Sequence, residues 1–198
     1  MLKVEENNKF QEAIIFLRES INISGKNPKN VVRHSLETAD YLYERGYSAN
    51  IVIGVILHDL IEDTAIEADE IEGRFGKAVR DLVEANSFDE NIPDEVAQYQ
   101  EMFARCLKAG KDALIIKAAD ILNNSNYYDL ATPERKEIVL KKWKYFIDVS
   151  AGTIKNEVTW QDLNRRYGLL HRPYLRFVND LKGKIQLNKK RPHEDKTS

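Results

Sequence analysis

Residues 51–61, "IVIGVILHDLI", constrain the fold more than any other part of the chain. Nearly every side chain in this run is apolar. A helix built from it has no face to offer water, so other elements must surround it. Yet His58, Asp59, Glu62 and Asp63 stand within it or directly after it. Taken as one helix capped by Ser48 or Asn50 and turning about 100° per residue, the run places His58, Glu62, Asp59 and Asp63 at about 0°, 40°, 100° and 140°. The four share less than half of the helix circumference. Ionised carboxylates left unpaired there would cost several kcal/mol each, so they must face a cation, a solvated cleft, or both. Glu62 and Asp63 also lie near the expected helix C-terminus, where the helix dipole opposes anions unless a positive charge compensates. A satisfied core histidine and a solvated acidic helix end are the plainer alternatives.

The rest of the chain supplies the surrounding helices. "NKFQEAIIFLRES" (8–20) carries a helical apolar stripe, and "SGKNPKN" (24–30) is turn chemistry. "VVRHSLETADYLYERG" (31–46) sets Val32, Leu36, Ala39 and Tyr43 on one side and stops at Gly46. Thr64 is expected to open a short helix through Gly73, followed by a second in "GKAVRDLVEA". Pro93 and Gly110 bracket another, residues 111–128 form one more, and Thr132 with Pro133 begins the next. A last helix is expected over roughly 160–183. No alternating strand pattern, repeat, phosphate-binding glycine loop or linker interrupts the series. The expected fold is all-α and compact.

Composition narrows the class. A chain of 198 residues, 42% hydrophobic, makes one domain with a sizeable core. A net charge of -2 gives no broad electrostatic footprint for nucleic acid. Cys106 is the single cysteine and cannot form an internal disulfide. The N-terminus has no apolar signal region, and the longest apolar run is too short to span a bilayer. The expectation is a soluble cytoplasmic protein without nucleic-acid or membrane partners. The sequence leaves a homo-oligomer open.

Two further stretches complete a candidate site. His34 lies in "RHSLETA", and Asp120 lies mid-helix in "IIKAADILNN", flanked by small and apolar residues. An acid has no packing reason to be there. Lys117 at i−3 and Asn124 at i+4 share its face, so an internal Lys117–Asp120 salt bridge is one account of it. Two imidazoles and two carboxylates drawn from three helices are another. Such a mixed nitrogen and oxygen set suits Mn²⁺, Fe²⁺ or Zn²⁺. His171 and His193 fall outside these blocks, which favours one metal ion over two.

In order and spacing, "ILHDLIEDT" (56–64), "FGKAVRDLV" (75–83) and "IKAADILNN" (116–124), with His34 ahead of them, resemble the HD-domain phosphohydrolase superfamily. The finer resemblance is to the hydrolase domain of the Rel/Spo alarmone enzymes and the stand-alone small alarmone hydrolases. It covers about residues 7–150 of a single hydrolase domain at 1–185, with a helical extension at 151–185 and a tail at 186–198 expected to be disordered. The resemblance implies one Mn²⁺ per chain held by His34, His58, Asp59 and Asp120. It implies Glu62 and Asp63 as the catalytic pair, with Lys117 and Asn124 facing a small-molecule nucleotide, and Lys26 is expected to bind that substrate in partial place of the family's arginine. The implied reaction releases pyrophosphate from the 3′ position of guanosine 3′,5′-bis(diphosphate), ppGpp, or of its pentaphosphate pppGpp. The chain departs from the family pattern at Gly25 and at Asn126, where arginines are expected. Another HD-type nucleotidase or phosphatase is therefore an alternative, and a non-catalytic nucleotide-binding regulator is a second.

Overall fold

Capping residues and glycines divide the chain into helices. The computed structural model describes residues 2–25 and 30–189, with side chains over 5–25 and 30–179. The helices are α1 (Leu2–Ser24), α2 (Val31–Glu44), α3 (Ala49–Leu57), α4 (Leu60–Asp63) and α5 (Ala68–Phe75). They continue with α6 (Lys77–Asn86), α7 (Glu95–Ala109), α8 (Lys111–Asn124), α9 (Pro133–Ile154) and α10 (Val158–Lys189). A 3-10 turn, Ser125–Leu130, links α8 to α9. The side chains of Asn30, Asp94 and Thr132 cap α2, α7 and α9 by accepting backbone N–H groups in their first turns. Gly110, at φ 102°, turns the chain between α7 and α8 through backbone space that other residues rarely enter.

Helix α3 is buried from Ile51 to Leu57, as an all-round apolar helix must be. It packs against α1, α2, α6 and α8. Helix α8, buried from Ala113 to Ile121, is the second central element and touches α2, α3, α6, α7, α9 and α10. No strand occurs among the described residues, and the all-α expectation holds there. Nor is any described helix long and apolar enough to cross a membrane.

The structure departs from the sequence reading at several boundaries. The expected single helix through Asp63 is interrupted: α3 ends at Leu57, His58 and Asp59 form a turn, and α4 begins at Leu60. Asp59 sits at φ −93° and ψ −4°, in the sparsely populated bridge region. The His58 ring donates through Nδ1 to the Val55 carbonyl at 2.7 Å, so a side chain takes up a backbone acceptor at the end of α3. The buried face of α2 is Val31, His34, Ser35, Thr38, Ala39 and Leu42, while Tyr43 is 56% exposed. The face has rotated because α2 packs on both α3 and α8. Thr64 closes α4 instead of opening α5, its hydroxyl donating to the Leu60 carbonyl at 2.6 Å, and α5 runs past Gly73 to Phe75. Helix α8 stops at Asn124, short of residue 128. Helix α10 continues through Pro173 to Lys189, beyond the expected end and into the expected tail; residues 190–198 lie outside the described part.

Candidate metal centre and catalytic cavity

Three segments bring the site together. α2 contributes His34, the turn after α3 contributes His58 and Asp59, and α8 contributes Asp120. His34 Nε2 lies 3.1 Å from Asp120 Oδ1. His58 Nε2 lies 3.6 Å from the same oxygen and 3.2 Å from Asp59 Oδ1. One ligand atom from each of His34, His58 and Asp120 falls within 4.8 Å of the others. Asp59 stands at the edge of this trio, beside His58.

The far side of each ring fixes which nitrogen points inward. His34 Nδ1 is 2.8 Å from the side-chain oxygen of Asn123, and His58 Nδ1 is 2.7 Å from the Val55 carbonyl. Both partners are acceptors, so each Nδ1 carries the proton and each Nε2 presents a lone pair to Asp120. His58 Nε2 and Asp59 Oδ2 are buried and make no hydrogen bond among the described residues. Buried acceptors converging in this way call for a cation, and two imidazoles with the Asp120 carboxylate fit a divalent metal ion. Without an ion, burial opposes charge on His58, but Asp59 and Asp120 outweigh it and raise the ring's pKa above its ordinary value.

Asp120 answers to both accounts of it. Its Oδ2 takes the Lys117 ammonium at 3.1 Å, while Oδ1 accepts from Asn124 Nδ2 at 2.6 Å and faces the two imidazoles. Burial pushes the Asp120 carboxyl up, but Lys117 and then the two histidines hold it well below the usual carboxylate range. Lys117 is itself buried and also donates to the Asn86 carbonyl at 3.2 Å. Burial works against its charge, yet the carboxylates of Asp120, Glu62 and Asp59 keep its pKa above the ordinary value.

Asp59, Glu62, Lys117, Asp120 and Asn124 line one cavity of about 260 Å³. Phe88, Tyr99, Tyr127 and Trp143 give it an aromatic wall, and Arg135 stands at it too. Glu62 Oε1 accepts the Phe88 backbone N–H at 2.7 Å. Burial pushes the Glu62 carboxyl up to about 7; Lys117 opposes that rise and Asp59 adds to it. A carboxyl poised there exchanges protons near neutral pH. Asp63 is half-buried, its backbone N–H bonds Asp59 O at 2.9 Å, and its side chain does not line the cavity. A larger concavity of about 870 Å³, lined by residues such as Lys77, Asp81 and Arg105, contains none of these groups.

Of the expected substrate contacts, Lys117 and Asn124 line the cavity, whereas Lys26 lies outside the described residues. Asn126 lines a separate cavity of about 230 Å³ with Asn123 and Arg166. Sequence reasoning missed Asn123, the Asn86 carbonyl, the Phe88 N–H and Arg135. Asn123 had a signal: it is the i+3 neighbour of Asp120, in the same "NN" pair from which only Asn124 was taken. The backbone groups had none, because no side chain announces them.

The chain is 27% identical over 127 residues to a probable guanosine-3′,5′-bis(diphosphate) 3′-pyrophosphohydrolase of Synechocystis sp., covering 60% of this chain and 16% of that protein. It is 31% identical over 105 residues to the Homo sapiens guanosine-3′,5′-bis(diphosphate) 3′-pyrophosphohydrolase, covering 52% of this chain and 58% of that one. The chain thus spans a minor part of the first relative and somewhat over half of the second. Its fold superposes with a TM-score of 0.70, at 20% identity and over 81% of this chain and 94% of the other, on a solved structure described as a metazoan ortholog of SpoT that hydrolyzes ppGpp. The HD domain pattern matches residues 13–145, a span that contains His34, His58, Asp59 and Asp120, and the chain belongs to the HD domain family.

Proposed function

We propose that the chain is a metal-dependent phosphohydrolase that cleaves ppGpp or pppGpp with water, releasing pyrophosphate from the ribose 3′ position and leaving GDP or GTP. The observation that carries this reading is the shared cavity, in which the Asp120 end of the imidazole cluster and the Glu62 carboxyl open onto one space. In this reading His34, His58, Asp59 and Asp120 would hold a single Mn²⁺, which when bound lowers the pKa of water and offsets charge on phosphate oxygens. Glu62, steadied by the Phe88 N–H, accepts the proton of the attacking water. Asp63, expected as the other member of the catalytic pair, does not line the cavity and acts through the turn that carries Asp59, whose carbonyl accepts its backbone N–H. The Lys117 ammonium stands beside the negative charge that develops on the scissile group. Asn124 holds the Asp120 carboxylate in place and faces the substrate. The aromatic wall suits a nucleoside. The protein works on a small nucleotide in the cytoplasm, without nucleic acid. The names of the Synechocystis and human relatives support the substrate assignment.

A second reading, hydrolysis of a different nucleotide, is favoured by Gly25 and Asn126, which stand where the resemblance leads one to expect arginines. Product analysis of Mn²⁺-loaded protein separates the readings. Pyrophosphate and GDP from ppGpp are expected. Orthophosphate from a nucleoside monophosphate, with ppGpp untouched, would establish the second reading, and binding without turnover would make the chain a regulator.

A further inference from the structure

We infer that Arg135, held at the cavity by Glu95 together with Lys142, is the subsite for a second phosphate group of the substrate, remote from the one that reacts. This rests on the phosphohydrolase reading and adds a determinant of specificity to it.

Charge balance carries the inference. With its carboxylates ionised, the inner end of the cavity sets Asp59, Glu62 and Asp120 against Lys117 alone, a net charge of −2 that one divalent ion only cancels. That end has no positive charge left for a substrate bearing phosphates at two positions. Among the described residues lining the cavity, the cations are Lys117 and Arg135. Lys117 is committed to Asp120 and the Asn86 carbonyl. Arg135 is differently placed, in the first turn of α9 with its side chain 46% exposed, and its Nη1 lies 2.7 and 2.8 Å from the two Glu95 carboxylate oxygens.

Glu95 does not belong to Arg135 alone. It also pairs with the buried Lys142, whose ammonium lies 3.6 Å from the ring centroid of Tyr99 on the cavity wall. Two cations on one carboxylate leave an excess of one positive charge at this end. An exposed ion pair is weak and readily exchanged. Glu95 takes the guanidinium through Nη1, whereas a phosphate can accept from two of its nitrogens at once and carries more charge, so Arg135 can turn from Glu95 to the ligand without leaving Glu95 unpaired. Arg33, paired with Glu37 at 2.7 Å, does not line the cavity. The subsite selects nucleotides carrying a second phosphate group over those bearing only the reacting one.

The test uses the Mn²⁺-loaded full chain with ppGpp and with guanosine 3′-diphosphate, which has the same reacting group and no 5′ phosphates. Arg135→Ala is expected to narrow the preference for ppGpp, measured as the ratio of kcat/KM values, by about tenfold, the scale of one lost charged hydrogen bond. The loss should fall mainly on KM. Arg135→Lys should restore part of it. Glu95→Gln keeps both cations and removes their competitor, so it should lower KM for ppGpp. An unchanged ratio in Arg135→Ala overturns the inference. So does equal harm from Glu95→Gln, which would mean that the ion pair matters only for structure. If the wild type hydrolyses neither compound, the phosphohydrolase reading fails. The subsite is then judged by equilibrium binding of ppGpp: roughly tenfold weaker binding to Arg135→Ala sustains it, and equal or absent binding in both proteins overturns it.

Discussion

The Nδ1 of His34 lies 2.8 Å from the side-chain oxygen of Asn123, on the same helix as Asp120, so one turn of α8 both faces and orients this imidazole. With Asn123 replaced by Ala, the ring loses the acceptor that fixes its tautomer and angle. The variant should fold normally and bind a divalent ion about 10–100-fold more weakly, as is usual when the partner of a histidine ligand is removed. Asn123→Asp, which keeps an acceptor, should retain affinity. A competition titration with a chromophoric chelator measures both. Equal affinity in wild type and Asn123→Ala would show that Asn123 does not tune the ligand.

Lys117 and Asp120 make a second prediction, one that separates stability from metal binding. Asp120→Ala leaves a buried ammonium opposite nothing but the Asn86 carbonyl and more distant carboxylates. Metal-free protein should lose about 3–5 kcal/mol, the cost of breaking a buried pair from one side. Adding Lys117→Met should recover much of that loss while leaving metal binding absent. His58→Ala should abolish binding without stranding Lys117. In the wild type, Mn²⁺ at a hundred times its Kd should add about 2.7 kcal/mol to unfolding stability and saturate at one ion per chain. Urea denaturation with and without Mn²⁺ reads the stabilities, and a metal titration reads the stoichiometry. Two ions per chain, or full stabilisation in the His58 variant, would refute the ligand set.

The central place of α3 was legible because it needs no partner to be known: a helix apolar on every side is buried whatever surrounds it. Lys117, Asp120 and Asn124 were legible for a related reason, since spacing on one helix fixes their shared face. The break at His58 was not, because it hangs on one side chain bonding a carbonyl three residues back, which helical periodicity cannot register. Helix α2 misled in another way. Its apolar stripe pointed to Tyr43, but Ser35 and Thr38 are buried because α8 brings His34 and its neighbours inward. Arg135 lies on α9, a different helix from Asp120 and Asn124, so no spacing on one helix links it to them and it joins them only through tertiary packing.

Gly54 lies where α3 packs against Leu82 of α6 and Ile116 of α8. A Cβ there would come 2.9 Å from Ile116 Cδ1 and 3.4 Å from Leu82 Cβ. Overpacking of this kind costs about 1–3 kcal/mol, and replacing a helical glycine returns up to about 1 kcal/mol. Gly54→Ala should therefore destabilise by about 1 kcal/mol. The nearest obstacle is the flexible end of Ile116, so Ile116→Val, which removes that methyl, should relieve the clash. The double variant should be less destabilised than the sum of the single ones in a denaturation cycle. Strict additivity would mean that Leu82 or the backbone limits the approach.

Glu62 gives the prediction that joins chemistry to pH. Its carboxyl, pushed up to about 7 by burial, is neutral in the metal-free fold over a range where the unfolded chain is already ionised. Below the ordinary carboxylate range both states hold the proton and Glu62 leaves stability unchanged with pH. Between about 4.5 and 7 the folded state binds more protons than the unfolded one, so stability falls as pH rises, by up to about 1.4 kcal/mol per unit. Glu62→Gln cannot ionise and escapes this loss. The variant should gain on the wild type steadily from pH 5 to pH 7 in chelator-treated buffer, with the difference levelling off above pH 7, as read by thermal midpoints across that range. Parallel curves would mean that Glu62 ionises normally in the fold. With Mn²⁺ present, the same substitution should leave the ion bound, since Gln changes no proposed ligand, and should lower turnover about a hundredfold or more, the scale of lost general acid–base help. If turnover survives in Glu62→Gln at full occupancy, the proton of the attacking water goes elsewhere, and Asp63 becomes the residue to change next.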